Sequence, residues 1–190
     1  MSDPPGDNIL VTGALGQIGT ELVEALRELH GSESVIASDI REQPNHTSNE
    51  NGPFITLDVL DSEGLIRECY DREIGSVYHL AALLSATGEK NPDLCRKVNV
   101  GGTRSVLDAA RQCSLRVYSP SSIAVFGPGS PKEAPQDAEL NPTTVYGETK
   151  VTGEKAASVL LEMYGVDTRG IRYPGLVSYK APAGLSLIHI

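Results

Sequence analysis

The sequence predicts an α/β fold in which a doubly wound parallel sheet carries helices on both faces. Three features of the chain lead there. Short apolar runs alternate with helical periodicity from Asn8 to Arg172, the pattern of repeated strand, helix, strand units. The first run, NILVTGALGQIG, passes directly into three glycines spaced three apart, with Gln17 opening a helix. No internal repeat or linker interrupts the chain, so its 190 residues read as one domain with right-handed crossovers.

The elements follow in order. After the first strand, Ile18, Leu22, Ala25, Leu26 and Leu29 fall on one helical stripe that stops at His30 and Gly31. Residues 34–39 form a second strand ending in Asp39, residues 42–52 a polar surface loop, and residues 53–58 a third strand ending in Asp58. A helix starts near Asp61, and capping it is as good a duty for the Asp58-Val59 region as a ligand contact. Residues 76–82, SVYHLAA, read as a buried fourth strand running into small residues, with His79 a core histidine ahead of a catalytic base. The long helix from Pro92 to Cys113 holds Gly101 and Gly102 at mid-length, where each costs about 1 kcal/mol against alanine, so a neighbour must pack closely there. Residues 115–119 are a fifth strand, 127–142 a proline-rich loop, 143–164 a helix with Ala156, Val159, Leu160 and Met163 facing the core, and 166–172 a sixth strand.

A net charge of −9 without any basic run argues against a nucleic-acid partner and against a membrane surface. No apolar stretch approaches the roughly eighteen residues of a span, and the start MSDPPGDN has neither signal nor transit character. A small-molecule substrate and a cytoplasmic location are the expectations. Cys69, Cys95 and Cys113 read as reduced thiols. Together with His30, His46, His79 and His189 they show no ligand spacing, so no metal is expected.

A glycine turn feeding a buried strand into a helix frees backbone N–H groups at the positive helix end, which suits a pyrophosphate. Gly13 allows the turn, Gly16 lets phosphate approach, and Gly19 lets helix and strand pack. Asp39 lies about twenty residues past the glycines, where a carboxylate accepts the adenosine ribose hydroxyls and repels a 2′-phosphate. NAD is therefore preferred, while Arg41 leaves NADP open and helix capping stays the alternative for Asp39. Asp58 and Val59, at a strand's carboxyl end, are placed to border the adenine.

Tyr146 and Lys150 stand four apart on one helix, hence on one face. A phenol titrates near ~10 and is a poor base at neutral pH, but an adjacent ammonium favours the phenolate. Such a phenolate takes a proton from an alcohol as hydride leaves the same carbon. Ser122, at the end of the fifth strand, would hydrogen-bond the reacting oxygen. Ser121 is its runner-up, because spacing does not separate adjacent serines.

GALGQIG, the set Ser122, Tyr146 and Lys150, and Asn99-Val100-Gly101-Gly102-Thr103 resemble the extended short-chain dehydrogenase/reductase family, whose domain is a Rossmann fold. Within it, HLAALLSA, PSSIAVFGP, TVYGETK and GIRYPGL resemble the short-chain type of L-threonine 3-dehydrogenase, over about residues 9–183. The resemblance implies NAD-dependent oxidation of the threonine hydroxyl to 2-amino-3-oxobutanoate, which a partner enzyme cleaves. Ser122 and Tyr146 would be the catalytic hydroxyls and Lys150 the ribose holder. Cofactor contacts would fall on Gly13, Gly16, Gln17, Ile18, Gly19, Asp39, Ile40, Arg41, Asp58, Val59, Leu80, Tyr146, Lys150 and Leu176, and Ser85, Ser122 and Tyr146 would face substrate. Pairing through the helices over Pro92–Cys113 and 143–164 would make a homodimer.

The end departs from that family. Residues 1–184 read as the NAD-binding domain, but 185–190, LSLIHI, read as foreign or misread sequence, or alternatively as a terminal strand, where the family continues into a substrate-covering lobe. Without that lobe, water reaches the nicotinamide and activity falls. Two further functions stay open: a nucleotide-sugar epimerase or dehydratase, and a catalytically silent NAD-binding module.

Overall fold

The structure, a computed structural model, describes residues 6–176. Its first unit is β1 (Asn8–Thr12), α1 (Gln17–His30) and β2 (Val35–Asp39), joined through the glycine turn. Then come α2 (Thr47–Glu50), β3 (Phe54–Thr56), α3 (Ser62–Asp71) and β4 (Ile74–His79). The second half holds α4 (Ser85–Lys90), α5 (Pro92–Cys113), β5 (Arg116–Tyr118), β6 (Ser121–Ser122), α6 (Val145–Tyr164), β7 (Thr168–Arg169) and β8 (Arg172–Tyr173). Strands run in the order β3-β2-β1-β4-β5-β7, all parallel, so the winding reverses between β1 and β4. In such a sheet the crevice at the carboxyl ends of those two strands is where a ligand sits.

Alternation along the strands divides the core. Leu10, Ile36, Ile74, Val77 and Val117 face α3 and α5, where Leu65, Val106 and Ala110 meet them. Ile9, Val11, Val35 and Ala37 face α1 through Val23 and Leu26. Helix ends follow local chemistry. Asp61 accepts from the Gly64 N–H at 2.9 Å to cap α3, and Thr144 accepts from the Gly147 N–H at 3.0 Å to cap α6. Pro92 opens α5, and Gly165, in the left-handed region, closes α6. No helix among the described residues is long and apolar enough to cross a membrane.

Several sequence expectations change. The polar loop over 42–52 contains α2, held by the buried Arg27, whose guanidinium donates to the carbonyls of Ser48 (2.9 Å), Pro53 (2.8 Å) and Val35. Ala25 and Leu29 on α1 are exposed, because the stripe that reaches the sheet is Val23, Leu26 and Arg27. The run over 82–91 contains α4, too short to show a helical period. The sixth strand breaks at Gly170, whose backbone lies against the Ser119 carbonyl with no room for a side chain. Past the break β8 leaves the main sheet and pairs with β6, Ser121 opposite Arg172 and Ser122 opposite Tyr173. On α6, Leu160 packs on the core, but Val159 and Met163 face outward, because the helix rests chiefly on α5 and buries only Gly147, Thr149 and Val151.

Candidate active site

The glycine turn has the geometry its spacing predicts. Gly13 takes a φ of 71°, and a Cβ there would stand 2.7 Å from the Ala81 nitrogen. A Cβ on Gly19 would stand 2.8 Å from the Ala14 Cα, so only glycine lets α1 approach the turn this closely. Gly16 is the N-cap, with no side chain bonding the first turn and no acidic residue in it. The N–H groups at Gln17 and Ile18 therefore have no capping side chain at the positive end of a 14-residue helix, a setting that suits an anion.

Asp39, at the end of β2, accepts from the Leu15 N–H at 3.4 Å and from the Arg41 N–H at 3.3 Å. No helix begins there, which removes the capping alternative. Ile40 and Arg41 beside it are exposed, and the Arg41 Nε lies 3.9 Å from the Asp39 carboxylate. Asp58 accepts from the Leu60 N–H at 2.9 Å, leaving helix capping to Asp61. The buried Val59 packs on α5, where a Cβ on Gly102 would come within 2.8 Å of it, so the mid-helix glycine answers to a close neighbour. Leu80 continues the sheet register by donating its N–H to the Thr12 carbonyl at 3.0 Å.

Two elements bring the chemical groups together. Strand β6 carries Ser122, whose Oγ accepts from the Ala124 N–H at 3.2 Å, and the first two turns of α6 carry Tyr146 and Lys150. The Lys150 Nζ stands 5.6 Å from the centre of the Tyr146 ring and donates to the Pro120 carbonyl at 2.9 Å. Burial pushes the Lys150 ammonium down to about 8. Burial likewise pushes the Tyr146 phenol up, opposed by the Ser122 hydroxyl and assisted by the Cys95 thiol. That corrects the expectation of a phenol lowered by its lysine: burial disfavours the phenolate, and the Ser122 hydroxyl opposes it only in part. Ser122, in contact with the phenol, is distinguished from Ser121, whose Oγ is buried on the side of Glu154. Ser85 opens α4 and is exposed; Leu176, at the end of the described chain, is exposed too.

His79 is a core residue. Its Nδ1 lies 2.9 Å from the Thr12 hydroxyl, and burial, with the Lys150 charge added, pushes it down to about 3. The cysteines are buried and unpaired. Among the described residues no three His, Cys, Asp or Glu side chains cluster for a metal.

Two sets of residues went unassigned from sequence. The buried Asn99 accepts from the Leu83 N–H at 2.8 Å and donates to the Leu83 carbonyl and to the Thr149 hydroxyl, each at 3.1 Å. It thus ties the loop before Ser85 to the helix bearing Tyr146. Its place in the Asn99-Val100-Gly101-Gly102-Thr103 motif marked it without assigning it a role. Glu154 and Arg172 form a bidentate pair at one end of a cavity of about 610 Å³ that runs between α6 and the sheet from Lys150 to Arg172.

The chain is similar to several known proteins. A family model described as the NAD dependent epimerase/dehydratase family matches residues 9–186. An uncharacterized epimerase/dehydratase of Staphylococcus aureus is 48% identical over 178 residues, which are 93% of this chain and 56% of that protein. A monomeric L-threonine 3-dehydrogenase of metagenomic origin, in its apo form, superposes with a TM-score of 0.87 at 53% identity, over 93% of this chain and 56% of that one. A GalE-like L-threonine dehydrogenase from Cupriavidus necator, in its holo form, gives 0.87 at 44% identity, over 92% and 57%. The chain thus spans little more than half the length of these proteins.

Proposed function

The chain belongs to the NAD-dependent epimerase/dehydratase family, and we propose that it carries the NAD-binding and proton-transfer groups for oxidation of the L-threonine 3-hydroxyl to 2-amino-3-oxobutanoate. The observation that carries this is the convergence of Ser122, Tyr146 and Lys150 from two separate elements, backed by the likeness to L-threonine dehydrogenases.

The residues present fit the cofactor. Gly13, Gly16, Gln17, Ile18 and Gly19 would hold the pyrophosphate, Asp39 with Ile40 and Arg41 the adenosine ribose, Asp58 and Val59 the adenine, and Leu80 and Leu176 the nicotinamide side. NAD, when bound, supplies the hydride acceptor. Ser122 would hold the substrate hydroxyl in line while the Tyr146 oxygen takes its proton. Lys150 would hold the nicotinamide ribose and, charged, favour the phenolate. Ser85 would stand near the amino acid. Balance is kept: the carbon loses hydride, the oxygen loses a proton, and the C–O bond becomes a carbonyl.

The assay is L-threonine plus NAD with NADH followed optically. Threonine-dependent NADH supports the proposal; turnover of a UDP-sugar but not of threonine overturns it. The family description and that of the Staphylococcus aureus relative favour a second reading, a nucleotide-sugar epimerase or dehydratase. Its mark is conversion without net NADH. NAD binding with no turnover on either substrate would leave the silent binding module. A cytoplasmic location and a homodimer paired through α5 and α6 go with the first reading, the latter supported by the outward Val159 and Met163.

A further inference from the structure

Tyr146, Lys150 and Glu154 follow one another at intervals of four, so all three side chains fall along one face of α6. A lysine and a glutamate one turn apart ordinarily pair. Here they do not. The Lys150 Nζ goes to the Pro120 carbonyl, and the Glu154 carboxylate is taken by Arg172, Nε to Oε1 at 2.9 Å and Nη2 to Oε2 at 2.8 Å. The two side chains of that pair are only 16% and 24% exposed. Arg172 also donates to the Gln136 carbonyl at 3.2 Å and lies 5.2 Å from the centre of the Phe126 ring. It comes from β8, the strand that pairs with the Ser122 strand.

We propose that Arg172 is a positioning residue: it draws the Glu154 carboxylate away from Lys150 and fastens the strand pair bearing Ser122 to the helix bearing Tyr146. The fork of a guanidinium matches both carboxylate oxygens, which fixes direction as well as distance. Burial alone would push the Glu154 carboxyl up, but the hydrogen bonds and charge of Arg172, with the Ser121 hydroxyl close by, outweigh it and hold Glu154 ionised. Left unpaired, that carboxylate would bind the lysine that the proposed mechanism needs free, and the proposal rests on that role for Lys150. The other groups around Lys150 are Tyr146 on its own helix, Cys95 from α5 and His79 from β4. None of these is a carboxylate. Control of Glu154 is thus control of the one acidic neighbour a turn away.

The test reads the Lys150 ammonium directly, by carbon NMR of the lysine ε-carbons in the 190-residue chain, with the Lys150 signal assigned by its loss in Lys150→Met. Arg172→Gln, which leaves Glu154 unbalanced, moves the Lys150 titration up by about half a unit, Glu154→Gln moves it down by a similar amount, and the double variant returns it to the wild-type value. A purely structural pair would not give opposite shifts that cancel. Should Arg172→Gln fail to fold, Glu154→Gln, which keeps the side chain's shape, decides alone. An unmoved Lys150 in whichever single variants fold overturns the proposal. No substrate enters this measurement, so absence of threonine turnover would overturn the proposed reaction and leave this result standing.

Discussion

The Lys150 ammonium and the Pro120 carbonyl meet at 2.9 Å across thirty residues of chain, and this bond joins the helix of Tyr146 to the segment that leads into Ser122. It is made by a buried cation whose titration lies near 8, against 10.5 for an ordinary lysine. Between those values the unfolded chain holds a proton that the folded chain has lost, so stability rises with pH across that window. Lys150→Met removes this slope, and urea unfolding of both proteins from pH 8 to 10.5 gives a wild-type-minus-variant difference that rises with pH and levels off near 10.5 if the assignment is right. Parallel curves would refute it.

Tyr146→Phe deletes the oxygen that takes the proton in the proposed path and, of the expected dinucleotide contacts, only that one hydroxyl. Turnover should drop by about three orders of magnitude or more, within the range of general acid–base contributions and beyond, while NAD affinity changes less than about threefold. Paired kinetics and calorimetry check it. Retained turnover would mean that another group is the base.

Asp39 has its carboxylate at the end of β2, with only backbone N–H groups and one long contact to Arg41. Asp39→Ser should weaken NAD binding about tenfold and bring NADP to within that factor of NAD, because the repelling charge is gone and Arg41 is left to meet a 2′-phosphate. Titration with each cofactor reads both numbers. An unchanged preference would put cofactor choice elsewhere.

Gly13→Ala meets both a left-handed backbone and the Ala81 backbone at 2.7 Å. A loss of about 1–3 kcal/mol follows from such strain. Denaturant midpoints should show it, and NAD affinity should fall with it. Gly129, with open space around it, is the control, and its alanine variant should be near neutral.

His79 sets an acid limit. In the unfolded chain it takes up a proton as pH falls through about 6.5, whereas the folded protein resists protonation down to about 3. The unfolded state therefore binds more protons in that interval, and stability is lost as pH falls through it, by up to about 1.4 kcal/mol per unit. His79→Gln can still reach Thr12 and should flatten the slope; thermal melts from pH 7 to 4 would show whether it does.

What was legible in the sequence was what repeats or caps. Gln17 to His30 and Pro92 to Cys113 could be read to both ends, because a glycine turn, a proline and a lost periodicity mark them. The parallel, doubly wound sheet follows from alternation plus right-handed crossovers. Short or tertiary features were hidden. Helix α4 spans six residues and shows no period, and Arg27 carries a side chain that sequence assigns to water. The break at Gly170 depends on a carbonyl fifty-one residues away in the chain, at Ser119. At the site, Tyr146 and Lys150 were visible because one helix holds them both. Arg172 and Glu154 were not, since a pair eighteen residues apart shows itself only when a strand swings back across a helix.

The two-stranded ribbon of β6 and β8 has a consequence for synthesis. The glycine turn can close as soon as α1 and β2 have left the ribosome, but the ribbon needs Arg172 and Tyr173 before the serine segment gains its partner. The segment that forms the glycine turn is thus complete long before the strand that fixes Ser122 in place.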